Sequence, residues 1–335
     1  MACFNDLPAE LVLNIFYRLT YNRYIQGSLA AFARVAQKFR PIAEEALYYA
    51  PIISEASEHH SAVMQFLQTV IRNKALSDFV RELVLPVTKR ASRSLKKPCE
   101  DAQCARGLKV IKDDVAHRLG PNYHLPRVFV CPNHYDTDEQ SLAACFFEPA
   151  LGGVILSILS NLKTLDITTH EERDWRSRDE GFWDPTTQIT IHDWFGAQAS
   201  LVRDNRISGL ASVQNMTCRE MVDYDFFRGP NLETLSLRWG DFATGNGWKR
   251  PPAPLPAVIS TSITSLSLDT TIWMIDGDED GFDREYLDTL LRGLPALRKL
   301  DVCLTYPDWY LHLDFDDYPD IGWDAIITAF KIAAP

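Results

Sequence analysis

Apolar residues in the first fifty positions recur at helical spacing. Leu11, Val12, Ile15, Phe16 and Leu19 form one stripe, with polar Asn14 and Arg18 on the other side, which is the repeat that lines one face of a helix. Pro8 stands at the start, where a fixed φ and a missing amide hydrogen suit a first helical turn. Glu10 follows, where a carboxylate faces the positive end of the helix dipole. The pattern predicts a break at Thr20-Tyr21-Asn22 and a turn near Gln26-Gly27. Leu29, Phe32, Ala33 and Ala36, widened by Val35, make a second stripe. Pro41 opens a third short helix that carries Ile42, Ala46 and Leu47 and ends before Pro51. Three short helices bury too little surface to be strongly stable alone. They are either the helical start of a larger domain or a module that expects a partner.

Beyond them the period changes. Four blocks share the template Leu-x-x-Leu-x-Leu with substitutions: Leu162 to Ile167, Leu232 to Leu237, Ile263 to Leu268 and Leu297 to Val302. Fainter copies fall at Val80 to Leu85 and Leu125 to Val130. The leucines of such a block turn inward from a short strand while the residues between them face out. The intervening stretches 140–160 and 284–294 read as helices by apolar spacing. Strand, connection and helix in repetition predict an irregular α/β solenoid like leucine-rich repeats over residues 51–335. No copy carries the asparagine of an ordinary leucine-rich repeat; His170, Gly240, Thr271 and Thr305 stand there. The gap from 168 to 231 is too long for one repeat, so insertions are expected.

The order of residues in the first stripe adds to its period. Leu7-Pro8-Ala9-Glu10-Leu11, followed by apolar residues at helical steps to Leu19, resembles the opening of the F-box. Leu29, Phe32 to Val35, Phe39-Arg40 and Ala43 through Leu47-Tyr48 resemble its continuation. The likeness covers roughly residues 4–50 and is nearest to the F-boxes at the N-terminus of fungal proteins. The segment Tyr21 to Gly27, with two tyrosines and an arginine, departs from it. The resemblance implies a three-helix F-box over residues 1–50. Such a module docks on the Skp-type adaptor of a cullin-based SCF ubiquitin ligase while the rest of the chain selects a protein for degradation. Carried over by position, Leu7, Pro8, Leu11, Ile15, Leu19 and Val35 would serve docking or the small core beneath it. An apolar helical face in a partner's groove is a common mode of recognition.

If the later strands stack, their outward residues line one surface. Thr164, Asp166, Thr234, Ser236, Arg238, Ser265, Ser267, Asp269, Lys299 and Asp301 are the candidate substrate contacts, with Thr168 and Cys303 beside them. Small polar and charged side chains of this kind suit protein recognition better than a small-molecule pocket. All eight tryptophans follow residue 170, and most are expected to be core or loop anchors, although such aromatics also serve as interface hot spots.

The chain has 335 residues, 46% hydrophobic and 24% charged, with a net charge of −11. That is enough for two domains with a real core, and the charge argues against nucleic-acid or anionic-membrane partners. Seven scattered cysteines, no basic-then-apolar leader and no apolar run near ~20 residues predict a soluble protein of the cytoplasm or nucleus.

Several motifs imitate chemistry. Asp276 to Gly281 matches the first half of a calcium loop, but its twelfth position is Leu287, where a bidentate glutamate is required. His170-Glu171-Glu172-Arg173-Asp174 imitates a zinc-protease helix with the second histidine replaced, and it reads as a loop. Cys99, Cys104, Cys131 and His134 are zinc-type ligands at loose spacing. The basic run from Thr88 to Pro98 reads as a solvated loop or a nuclear-import signal, and Arg250 to Pro256 as a surface loop. No phosphate loop, dinucleotide fingerprint or serine elbow occurs. The expectation is a protein that is no enzyme and holds no cofactor or metal. The alternative to the ligase subunit is a repeat scaffold whose N-terminal helices merely cap the solenoid.

Overall fold

The computed structural model describes residues 7–20, 23–35, 37–53, 62–89, 147–171, 191–195, 199–219, 224–238, 258–271 and 290–305. They form a mixed α/β protein whose strands pair in parallel. The chain divides into two compact units, Met1–Arg173 with Ile191–Val213, and Asp174–Thr190 with Gln214–Pro335.

The first unit begins with helices α1 (Ala9–Thr20), α2 (Arg23–Val35) and α3 (Arg40–Tyr49), the last preceded by a 3-10 turn at Gln37–Phe39. The Pro8 carbonyl accepts from the amides of Leu11 and Val12, so Pro8 caps α1 and the helix proper starts one residue later. The turn expected at Gln26-Gly27 is not there, because α2 runs through it. A lone glycine costs a helix about 1 kcal/mol, and cooperative helix on both sides outweighs that. Pro41 lies in the first turn of α3, as its fixed φ favours.

Next come α4 (Ala62–Arg72), α5 (Lys74–Phe79), β1 (Glu82–Lys89), α6 (Phe147–Ile158) and β2 (Thr164–Glu171). The short helices α7 (Ile191–Phe195), α8 (Ala199–Arg203) and α9 (Ser208–Ser212) complete the unit. β1 pairs with β2 from Glu82↔Thr164 to Lys89↔Glu171. Thus His170 and Glu171, expected in a loop, are strand residues, and so are Thr88 and Lys89 at the head of the basic run. Helix α6 packs against β1, α4, α7 and α9 and has no wet face between Leu151 and Leu156. A helix surrounded on all sides by protein can be apolar all round. Its close fit on α7 depends on Gly153, where a Cβ would run into the Trp194 carbonyl.

The second unit holds β3 (Asn215–Arg219), a 3-10 turn at Tyr224–Arg228, β4 (Thr234–Arg238), β5 (Ser265–Thr271) and β6 (Lys299–Thr305). The pairs β3–β4, β4–β5 and β5–β6 are all parallel and aligned residue for residue. Strand β3 fills part of the long gap left by the leucine template. Its block Val213, Met216, Cys218 is the same template without a leucine, and all three side chains are buried.

One hydrogen-bond device recurs at four steps. The amides of Lys163 and Thr164 converge on the Arg81 carbonyl at 2.7 and 2.9 Å. Glu233 and Thr234 do the same to Gln214, Thr264 and Ser265 to Glu233, and Arg298 and Lys299 to Thr264. Each acceptor is the residue just before the preceding strand, so β2, β4, β5 and β6 are each hung from the strand before.

No helix among the described residues is long and apolar enough to cross a membrane. The fainter block at Leu125, the calcium-like loop, the cysteine–histidine set and the proline-rich segment lie outside the described residues, as do 140–146 and 284–289 of the expected helices. Residues 290–292 do form a helical turn.

Gly153→Ala is expected to lower stability by about 1–3 kcal/mol through overpacking. At Gly27 a Cβ would meet nothing within 4 Å, so Gly27→Ala should raise it by about 0.5–1 kcal/mol. Urea titrations of the two variants check the opposite signs.

Candidate docking site

The stripe of α1 divides in the folded chain. Val12 and Phe16 are fully covered and join Leu29, Ala33, Phe39, Ala43 and Ala46 in one core. Phe16 meets Phe32 edge to face at 5.4 Å between ring centres, and Phe32 lies 5.9 Å from Phe39. Leu11 and Ile15, one position earlier in each turn, keep 51% and 41% of their surface. Pro8 is exposed, while Leu7 and Leu19 are half-buried. Pro8, Leu11 and Ile15 form a ledge along one edge of α1, while Leu7 and Leu19 pack against the core. Val35 ends α2.

Polar ties hold the opposite side of the helices. The Tyr17 hydroxyl donates to Glu45 Oε1 at 2.8 Å, joining α1 to α3. The Tyr17 ring lies 4.4 Å from that of Tyr49, and Thr20 Oγ1 donates to the Tyr17 carbonyl at 2.7 Å. Burial and then the Glu45 carboxylate beside it push the Tyr17 phenol well above its ordinary range. Burial first, and then nearby Glu44, also raise that of Tyr48. From α3 the chain passes to the sheet. The Arg81 amide donates to the Tyr49 carbonyl at 2.9 Å, and Ile52 makes a parallel bridge to Val84 of β1. Tyr48 stacks on Phe66 of α4 at 6.4 Å. The helices therefore grip their unit through α3 and leave the α1 ledge open.

The second candidate surface is the outward face of the strands. In the second unit the register sets Thr234, Ser265 and Lys299 in one row, Ser236, Ser267 and Asp301 in the next, and Arg238, Asp269 and Cys303 in a third. Thr164 and Asp166, with Thr168 next to them, stand opposite Glu82, Val84 and Pro86 in the first unit. The inward leucines 162, 165, 232, 235, 237, 266 and 268 are buried, as are Ile167 and Ile263. In the last block Leu297 and Leu300 are half-buried and Val302 keeps 37% of its surface. Lys299 and Asp301 pair with each other at 2.6 Å.

Strand β3 adds residues that the leucine template overlooked. Asn215, Thr217 and Arg219 extend the three rows opposite Thr234, Ser236 and Arg238. The signal was present as alternation, apolar at 213, 216 and 218, but methionine and cysteine stood where leucine was sought. Among the described residues no group of three or more His, Cys, Asp or Glu side chains could hold a metal ion. Trp194 is buried in the core.

No family model matches the chain, and neither a curated protein nor a solved structure matches it significantly.

A neutral phenol that the fold protects stabilises it fully below the ordinary tyrosine value of 10.0. Above that, unfolded tyrosines ionise while Tyr17 and Tyr48 resist, so stability is lost as pH rises. Denaturant midpoints measured from pH 8 upward should fall past pH 10, and Tyr17→Phe should make the fall shallower. At neutral pH the same variant should cost about 1 kcal/mol for the lost hydrogen bond.

Proposed function

We propose that the chain is the substrate-recognition subunit of an SCF-type ubiquitin ligase. Its N-terminal helices act as an F-box that docks on a Skp-type adaptor, and the later strands form an irregular leucine-rich-repeat-like solenoid that presents a protein substrate. The observation that carries this reading is the open ledge of Pro8, Leu11 and Ile15, on the helix whose sequence resembles the F-box opening. A helix that only capped a solenoid would turn its stripe inward, because leaving Leu11 and Ile15 about half exposed forgoes about 1 kcal/mol each. Here the buried half of the stripe packs into the core that the three helices share, and the exposed half is available to a partner.

In this role the chain catalyses nothing itself. It holds a substrate's lysines near a charged ubiquitin-conjugating enzyme and so raises their effective concentration. The four repeated hydrogen-bond steps support a repeat surface, and the polar rows support a protein as its ligand. The second reading, a repeat scaffold outside any ligase, draws on the ties from α3 to Arg81, Val84 and Phe66, which are contacts a cap would make.

A pull-down of the full chain with a purified Skp-type adaptor separates the two. The wild type should bind, and a Leu11→Asp, Ile15→Asp double variant should lose binding while melting within a few degrees of wild type, since both side chains are exposed. Phe16→Ala, by contrast, should cost about 3–5 kcal/mol of stability. A folded wild type that fails to bind would remove the ligase role and leave the scaffold.

A further inference from the structure

The inward face of the second unit is covered at β4 and β5 and open at β6. Leu235 and Leu237 are buried, and so are Leu266 and Leu268 in register beside them. Their partners on β6 are Leu300 and Val302. Leu300 is only half-buried and Val302 keeps 37% of its surface, although the template sets both on the face of the buried leucines. β6 is an edge strand among the described residues, and a stack of repeats ends in an apolar face unless something closes it.

The stripe that covers earlier blocks recurs along the chain. In α6 it is Leu151, Val154, Ile155 and Ile158, all buried, on a helix that packs against β1. After β5 the same spacing returns at Leu287, Leu290, Leu291 and Leu294. The last three of these are described, and all are buried. After β6 it returns again, at Trp323, Ile326, Ile327 and Phe330. Apolar residues at such steps mark one face of a helix. Leu287 stands 22 residues after the start of β5, and Trp323 stands 24 after the start of β6. The order and spacing of the block are kept.

We propose that the segment from Trp323 to Phe330, which lies outside the described residues, lays this stripe on Leu300 and Val302 and closes the open face of β6. Seventeen residues separate it from Thr305 at the end of the strand. A chain of that length reaches up to ~55 Å, more than a seven-residue strand needs for the return. The occupant is this chain's own segment and not a second copy, because it supplies the stripe of the preceding block at nearly the same distance from its strand. The inference goes beyond the ligase reading and does not depend on it.

Two measurements on the full chain test it. In the first, a Val302→p-benzoylphenylalanine chain is irradiated, digested at aspartates and read by mass spectrometry. Aspartates between the strand and the segment, such as Asp308 and Asp320, let the two be separated. Cross-links within one chain to residues 323–330 are expected. A cross-link joining two chains, which gives the face to a second copy, or none to the segment would overturn the proposal. In the second, urea midpoints are compared for Val302→Ala, for Ile326→Ala with Ile327→Ala, and for all three together. Side chains in contact couple, so Val302→Ala should lower the midpoint in the wild type and by a smaller shift once the isoleucines are gone. Val258→Ala, at another exposed valine of the same unit, should shift it equally in both backgrounds. If the double isoleucine variant does not fold, Ile327→Val carries the same comparison. Equal Val302→Ala shifts in the two backgrounds would overturn the proposal.

Discussion

Within each unit the strands depend on how one is hung from the last. A single carbonyl just before a strand accepts two amides from the start of its successor, at Arg81, Gln214, Glu233 and Thr264. This shared acceptor fixes the register, and register decides which side chains are inside. A slip of one residue would turn every inward leucine outward. Because the backbone specifies the alignment, the inward positions need only be apolar and of suitable size. That is why Met216 and Cys218 sit as well covered as Leu235 and Leu237. The outward positions take no part in that core and are free to carry recognition chemistry.

The N-terminal helices obey a different division. Their aromatic core draws in one half of the α1 stripe, and their hydrogen bonds and ring contacts reach the rest of the unit by way of α3. Tyr17, Glu45 and Tyr49 tie α1 to α3, while Arg81 and Ile52 tie the end of α3 to the first strand. Among the described residues, no such tie reaches the side of α1 bearing Leu11 and Ile15. An exposed apolar ledge and a firmly seated opposite side are together what a docking helix requires, since a partner can then grip the ledge without prising the module loose.

Much of this was legible in the sequence and some was not, for physical reasons. The helical period found α1 and α3, and the six-residue template found β2, β4, β5 and β6, because burial on one face imposes its period on the chain. Gly27 misled because propensity is local, whereas a helix is stabilised along its whole length. His170 and Glu171 misled because charged residues at a strand's end leave no apolar signal in the sequence. Strand β3 was missed by looking for a residue type when the constraint was only burial. The split of the α1 stripe could not be read at all. Period shows which residues share a face, but it does not show how much of that face the neighbours cover.

The same ladder has a consequence in time. Each step joins residues far apart along the chain. Asn161 donates to the carbonyl of Asp78 across 83 residues and Thr264 to that of Glu233 across 31, and among the described residues the paired strands are parallel and not joined by tight hairpins. The entropy of closing loops of that size must be met before any inward leucine is covered, and topologies built on distant pairings are slow to fold. During that interval the strand edges and leucines are open to other chains. Rapid synthesis without chaperones should therefore limit the yield of folded protein, even though the finished ladder is well satisfied.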